Sequence, residues 1–317
     1  MCGIVGYIGA QQAAPILLDG LSKLEYRGYD SAGVCVFSDT GFQVAKTKGR
    51  LAALCEMTEN GTTITGTLGI GHTRWATHGA PSNENSHPHL STNGKICVVH
   101  NGIIENYLAL KEFLLAHGKT FFSDTDTEVA ANLLEYYYEQ EGDLRAAACR
   151  AVQDLSGSYA LGILCTDYPD SMLAIKKDSP LIFGFGKGEN FIASDVPAIL
   201  RYTREVVYLN DGDMVEFTAN SVSFFDAQGN ALHKTPEHIT WEMSAAEKGG
   251  YPHFMMKEIH EQPKALRDTI SPRIKDGRVV LNELTLSPDY LRGVRRIYIV
   301  ACGSAYYVGC LGKYILE

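Results

Sequence analysis

The chain opens "MCGIVGYIG", with a cysteine second and an apolar, strand-length run directly behind it. Met1 precedes a small residue, the usual condition for methionine excision, so a mature chain beginning at Cys2 is expected. A cysteine in that position carries a base of its own. The free α-amine titrates at about 7.7–8 and a thiol at about 8.5, so proton exchange between them needs little tuning at neutral pH. The amine, directly or through a water, can take the thiol proton and leave a thiolate to attack a carbonyl carbon. The ammonium so formed can then protonate a leaving amine. On position alone the bland account is the stronger one, because free cysteines are among the most buried residue types.

Four polar clusters change that balance: "LEYRGYDSAG" (24–33), "HTRWATHG" (72–79), "VVHNGIIEN" (98–106) and "SDTDTE" (123–128). Each alone has an ordinary explanation. Arg27 and Arg74 can be solvated charges, Trp75 a core aromatic, Asn101-Gly102 a turn, and Asp126 a helix cap. Together they hold the groups needed to seize a free amino acid and cleave an amide: two guanidiniums, a carboxylate, an Asn-Gly pair and a thiol.

Composition bounds the rest. A net charge of −9 makes a nucleic-acid partner a poor fit, since such binding rests on clustered Lys and Arg. No apolar run approaches the roughly 20 residues of a membrane span, and no secretory signal is present. The eight cysteines are scattered without a C-x-x-C pair, the pattern of reduced thiols and not of a disulfide framework or zinc site. A cytoplasmic protein without metal or other cofactor is expected.

The elements that must position these groups read clearly. The 317 residues, 45% of them apolar, suit one large or two smaller domains. "GIVGYI", "AGVCVF", "FQVAKT", "TLGIGHTRW" and "KICVVHNG" read as strands, followed after residue 157 by seven more at short intervals. "APILLDGLSKLEY", "TEVAANLLEYYYEQ" (capped by Asp126 or Thr127) and "DLRAAACRAVQDL" read as helices. Many antiparallel strands with few helices imply stacked sheets with helices outside, an α+β class. Residues 234–272 turn polar, as a linker running into a helix. The end, "VRRIYIVACGSAYYVGCLGKYILE", reads as strand, Gly-Ser loop and helix. One parallel strand makes no sheet, so this stretch is expected to open a domain that is truncated here.

The four clusters, in this order behind "MCGIVG", resemble the glutaminase domain of class II glutamine amidotransferases, an N-terminal-nucleophile (Ntn) hydrolase fold. Within that group "EYRGYDSAG", "HTRWATHG", "ENFIASD" (189–195), "FMMKEIHEQP" (254–263) and "IVACGSAYYVG" (299–309) resemble the glucosamine-6-phosphate synthases, that is, glutamine:fructose-6-phosphate aminotransferases (isomerizing). The resemblance implies a four-layer αββα sandwich of two antiparallel sheets over residues 1–240. It makes residues 241–317 a linker and the truncated α/β start of a sugar isomerase (SIS) domain. It makes Cys2 the nucleophile and Asn101 and Gly102 the oxyanion hole. Arg74 would clamp the glutamine α-carboxylate and Asp126 the α-ammonium. Trp75, Thr77 and His78 would fall in a loop closing over glutamine, with Trp75 gating ammonia, and Arg27 and Gly28 would line the pocket. Cys302, Gly303 and Ser304 resemble a sugar-phosphate loop, with Ser in place of the usual Thr.

The implied activity is hydrolysis of L-glutamine to glutamate and ammonia, half of the synthesis of glucosamine 6-phosphate from fructose 6-phosphate. A homodimer is implied for the full-length enzyme, and glutaminase activity alone for this chain. Two alternatives stay open. One is a phosphoribosylpyrophosphate amidotransferase, which usually has Gln where this chain has Tyr29. The other is a noncatalytic glutamine or sugar-phosphate sensor.

Overall fold

In the computed structural model the run behind Cys2 is β1 (Gly3–Ile8), an interior strand of an eight-stranded sheet. The structure describes residues 2–240, 250–281 and 286–317. Met1, and the residues just after the boundary expected at 240/241, lie outside them. Two units are present, Met1–Glu247 and Lys248–Glu317.

In the first unit β1 is followed by α1 (Ala13–Ser22), β2 (Ser31–Ser38), β3 (Gly41–Lys48), α2 (Leu51–Met57) and β4 (Leu68–Arg74). Then come β5 (His89–Leu90), β6 (Ile96–Ile104), α3 (Tyr107–Ala116), α4 (Asp126–Glu141) and α5 (Leu144–Asp154). The remainder is strands: β7 (Gly157–Cys165), β8 (Met172–Lys177), β9 (Ile182–Phe185), β10 (Asn190–Ala193), β11 (Glu205–Tyr208), β12 (Met214–Phe217), β13 (Val222–Phe225), β14 (Ala231–Leu232) and β15 (Glu237–His238). One sheet runs β15-β11-β9-β10-β1-β4-β2-β3 and the other β14-β13-β12-β8-β7-β6-β5. Neighbouring strands in both sheets pair antiparallel.

Three apolar cores separate four layers, and the two-residue side-chain period of a strand assigns residues to them. Val5 and Tyr7 of β1 face α1 in one core, while Ile4 and Ile8 face the other sheet. Cys97 and Val99 of β6 meet them in the inter-sheet core, and Ile96 and Val98 turn the other way against α4 and α5. Both faces of these strands are buried, which is why their sequences are near-continuous apolar runs. The order is helix, sheet, sheet, helix, as the αββα expectation had it.

Three local expectations need correction. The cap of α4 is Thr125, whose hydroxyl accepts the Glu128 N–H at 3.3 Å. Asp126 cannot serve as cap, because its Oδ2 accepts the Ile104 N–H at 2.9 Å and ties the end of β6 to the start of α4. Helices α2 and α3 were not anticipated. In α3 only Leu114 is buried, so its apolar stripe is too thin to read. The third correction lies in the second unit, which contains α6 (Phe254–Ile270), the two-residue strands β16 (Ile274–Lys275) and β17 (Arg278–Val279), α7 (Pro288–Gly293) and α8 (Gly303–Leu316). The strand expected before Cys302 is not formed. Residues 297–301 have no ladder partner among the described residues, and Ile299 packs instead against Gly309 of α8. A strand without a neighbour has no hydrogen bonds to hold it extended.

Candidate active site

Register places Cys2. Gly3 pairs with Thr73, so the residue before β1 faces the chain as it leaves β4 at Arg74 and Trp75. The Trp75 N–H donates to Cys2 Sγ at 3.2 Å, and the Sγ–H can return to the Trp75 carbonyl at 3.5 Å. Burial pushes the Cys2 thiol above its ordinary value, and the Trp75 N–H and the Arg74 charge only partly oppose this. That direction favours the thiol over the thiolate at this position.

The second sheet brings the amide donors. Asn101 Nδ2 donates to the Cys2 carbonyl at 2.9 Å, joining the end of β6 to the start of β1. Gly102 beside it has φ 126°, and a Cβ there would sit 2.1 Å from the Ser158 carbonyl, so no other residue fits. Cys2, Arg27, Trp75, Thr77, Asn101 and Gly102 line one cavity of about 480 Å³. Ser158, Asp178, Ser179, Pro180 and Ser194 line it as well, with Ser158 and Ser179 close against Gly102.

Gly28, Arg74, His78 and Asp126 lie beside this cavity and not on its wall. Gly28 has a packing role: a Cβ there would stand 2.7 Å from the Arg74 carbonyl carbon. Arg74 is 3% exposed, and its Nη2 donates to the carbonyls of His78 and of Gly79, the latter at 3.0 Å. Its Nη1 is buried without a hydrogen-bond partner, and so is Nδ1 of His78. Cys2, Asp30 and Asp126 are near enough to act on the Arg74 charge. Arg27 is held by Asp195 and donates to Tyr26 Oη at 2.9 Å. Cys302, Gly303 and Ser304 belong to the second unit, exposed at the start of α8, where Cys302 supplies no side-chain cap.

A family model described as "Glutamine amidotransferase domain" matches residues 57–247, more than half of the chain. The chain belongs to this glutamine amidotransferase family. Over its whole length it is 55% identical to a "Glutamine--fructose-6-phosphate aminotransferase [isomerizing]" of Caldanaerobacter subterraneus subsp. tengcongensis, covering 52% of that protein. It is 50% identical to the protein of the same description from Thermus thermophilus, again across the full chain and 52% of the relative. The chain thus spans about half the length of the curated relatives it matches. Among solved structures, the glutamine phosphoribosylpyrophosphate amidotransferase of B. subtilis complexed with ADP and GMP superposes with a TM-score of 0.62 at 25% identity. That match covers 73% of this chain and 50% of the other.

Amidotransferase site residues that were not anticipated fall into two groups. Asp30 pins the turn after β4: its carboxylate accepts the Ala76 N–H, and its own N–H donates to the Arg74 carbonyl at 3.1 Å. It lay inside a recognised cluster, and its turn-forming type was the available signal. The Asp178–Pro180 wall had none beyond a Ser-Pro turn. Asp178 adopts left-handed backbone (φ 61°), and Asp211 Oδ1 accepts its N–H at 2.7 Å.

Behind the amidotransferase site lie four buried histidines. His72 and His87 stack with ring centroids 4.1 Å apart, and His89 meets His87 edge-on at 5.0 Å. His100 Nδ1 lies 3.0 Å from Thr127 Oγ1, as His89 Nε2 lies 3.1 Å from Thr125 Oγ1. Among the described residues no group of three or more His, Cys, Asp or Glu is arranged to hold a metal. Burial lowers all four histidines, taking His72 to about 3 and leaving His87 and His89 well below their ordinary value. In the unfolded chain each protonates at about 6.5. Below that pH the unfolded state binds more protons than the folded one, so stability is full above about pH 6.5 and is lost as pH falls. Each histidine contributes a slope of about 1.4 kcal/mol per pH unit while only its unfolded form is charged. Urea midpoints should therefore drop steeply between pH 7 and pH 5. Equal midpoints at the two pH values would contradict the neutral, buried state of this cluster.

Proposed function

We propose that this chain hydrolyses L-glutamine to L-glutamate and ammonia, beginning at Cys2 once Met1 is removed, as the glutaminase half of a glucosamine-6-phosphate synthase. The observation that carries the reading is the meeting of Cys2 Sγ, the Asn101 carboxamide and Gly102 on one cavity wall, drawn from two different sheets. The α-amine of Cys2 takes the thiol proton as sulfur bonds to the carboxamide carbon. The carbonyl oxygen, now negative, is received by Asn101 Nδ2 and the Gly102 N–H. The same ammonium gives its proton to the departing nitrogen, and ammonia leaves. Water then attacks the thioester through a second oxyanion, releasing glutamate and restoring the thiol.

The amino-acid end of glutamine is assigned to the polar group beside the cavity. Arg74 offers its unpartnered Nη1 to the α-carboxylate, and His78, whose carbonyl Arg74 Nη2 holds, belongs to the same loop. Asp126 faces the α-ammonium. Thr77 and Trp75 belong to the loop over the substrate, Trp75 as ammonia gate, and Arg27, fixed by Asp195, and Gly28 complete the rim. Fructose 6-phosphate as acceptor, a homodimer in the full-length enzyme and a cytoplasmic location follow from the likeness to the aminotransferases. So do a 1–240 glutaminase domain followed by the start of an SIS domain, and a sugar-phosphate role for Cys302, Gly303 and Ser304. No described helix is long and apolar enough to cross a membrane. Behind the phosphoribosylpyrophosphate alternative stands a structural likeness at 25% identity, against 50–55% over the whole chain for the aminotransferases.

The test is release of glutamate from L-glutamine by the purified chain, followed kinetically in variants. Arg74→Ala and Asp126→Ala should raise KM about 10-fold or more with little change in kcat, because the charges they meet are the same in ground and transition states. A fall in kcat at unchanged KM would reassign both residues. Absence of glutamate release by wild type would sink the proposal itself.

A further inference from the structure

We propose that His72 is a positioning residue for this reaction: it decides which way round the Asn101 carboxamide sits, and so aims an N–H at the oxyanion. The inference rests on the assignment of Asn101 as an oxyanion donor. An Asn side chain can be turned by half a rotation about its last bond, exchanging a donor for an acceptor at nearly the same place. With the amide reversed, a carbonyl oxygen would face the negative oxygen formed during attack, and stabilisation would become repulsion.

The hydrogen bonds around His72 remove that freedom. His72 is fully buried on β4, and its Nε2 lies 3.0 Å from two atoms, the His100 carbonyl oxygen and the Asn101 side-chain oxygen. A backbone carbonyl can only accept, so the His100 oxygen requires that Nε2 carry the hydrogen. That N–H, shared between the two, needs an acceptor from Asn101 as well, and the amide must present Oδ1. The NH₂ group is thereby turned to the opposite side. There one of its hydrogens meets the Cys2 carbonyl at 2.9 Å, and the other is left for the cavity that Asn101 lines. The Cys2 carbonyl, which can also only accept, agrees with this orientation.

Two further observations keep the device in one state. The ring is held flat against His87 at an interplanar angle of 19°. His72 Nδ1 is buried with no partner, so the imidazole gains nothing by moving its hydrogen to that nitrogen. Its low pKa, set by burial, keeps the ring neutral through the working pH range, and a second hydrogen at Nδ1 does not arise.

The test uses the whole chain, with His72→Leu, His72→Gln and each combined with Asn101→Ala. Leu removes the donor. Gln places an amide N–H close to where Nε2 stood and restores it without a titrating group. His72→Leu should lower kcat about 10–100-fold at nearly constant KM, less than the roughly 10²–10³ typical of a deleted oxyanion donor. His72→Gln should stay within about threefold of wild type, with an unchanged kcat–pH profile. Combined with Asn101→Ala, His72→Leu should cost almost nothing more, since there is no amide left to aim. Alkylation of Cys2 by iodoacetamide, a displacement at saturated carbon that forms no oxyanion, should proceed at the wild-type rate in His72→Leu. An equal loss of kcat with and without Asn101 would overturn the proposal, as would slowed alkylation. If His72→Leu does not fold, His72→Gln decides: a drop beyond about 30-fold in kcat, or a shifted pH profile, would overturn it. Wild-type protein inert toward glutamine would overturn the underlying glutaminase reading instead.

Discussion

Cys2→Ala is expected to bind glutamine with near wild-type affinity and to release glutamate on the order of 10⁴–10⁶-fold more slowly. The carboxylate and ammonium of the substrate are assigned, in the proposed reading, to Arg74 and Asp126, which this change leaves alone. The attacking atom is lost outright, and deleting a nucleophile typically removes all but a small residue of catalysis. Three serines share the cavity wall, but they do not stand in for Cys2. Ser194 Oγ is occupied in accepting the Ile4 N–H at 3.0 Å, and neither Ser158 nor Ser179 carries the terminal amine that the proposed mechanism uses as base. Calorimetric titration with glutamine and a glutamate-release assay check the two halves of the expectation. Normal turnover by this variant would remove the nucleophile assignment. Tight binding without turnover in the wild type as well would favour the sensor reading.

Asn101→Ala should cost about 10²–10³ in kcat, equivalent to about 2.7–4 kcal/mol, with KM little changed. The oxyanion exists only along the reaction path, so a donor aimed at it acts on the rate and not on the bound ground state. In the proposed reading the Gly102 N–H is the second donor and sets a floor under the loss. Its own replacement is a different experiment, because a Cβ at 102 would strike the Ser158 carbonyl and move the strand. Steady-state kinetics of Asn101→Ala beside Arg74→Ala make the comparison: one should act on kcat, the other on KM. The same kinetic signature from both would mean that the site does not separate the reacting amide from the amino-acid end as described.

The layering was legible because strands buried on both faces leave long apolar runs, and "GIVGYI" or "KICVVHNG" can hardly be anything else. Cys2, Asn101 and Gly102 stood out in the sequence because each adjoins such a run, and the structure brings all three to one cavity. What escaped was set by tertiary contact. Thr125 caps α4 only because Ile104 claims the neighbouring carboxylate, a partner 22 residues away. Asp30 offered only its turn-forming type, since the backbone N–H its carboxylate meets lies 46 residues away, and the Asp178–Pro180 stretch offered only a Ser-Pro turn. His72 sits within "GIGHTRW", and its spacing says strand; that its ring meets Asn101 depends on two sheets packing face to face. The expected strand near residue 299 failed for the converse reason: "IYIVA" has strand propensity, but a strand also requires a neighbour.

The central claim is that a thiol at the mature N-terminus attacks the side-chain carbonyl of glutamine. Its most direct test is the intact mass and N-terminal peptide of the protein after exposure to a chloroketone analogue of glutamine, with free glutamine as competitor. The account predicts a chain lacking Met1 that carries one adduct, located on the peptide beginning at Cys2, and protection of that peptide by glutamine. A single glutamine-protected adduct on any other residue, or full glutaminase activity in a chain that retains Met1, would contradict it.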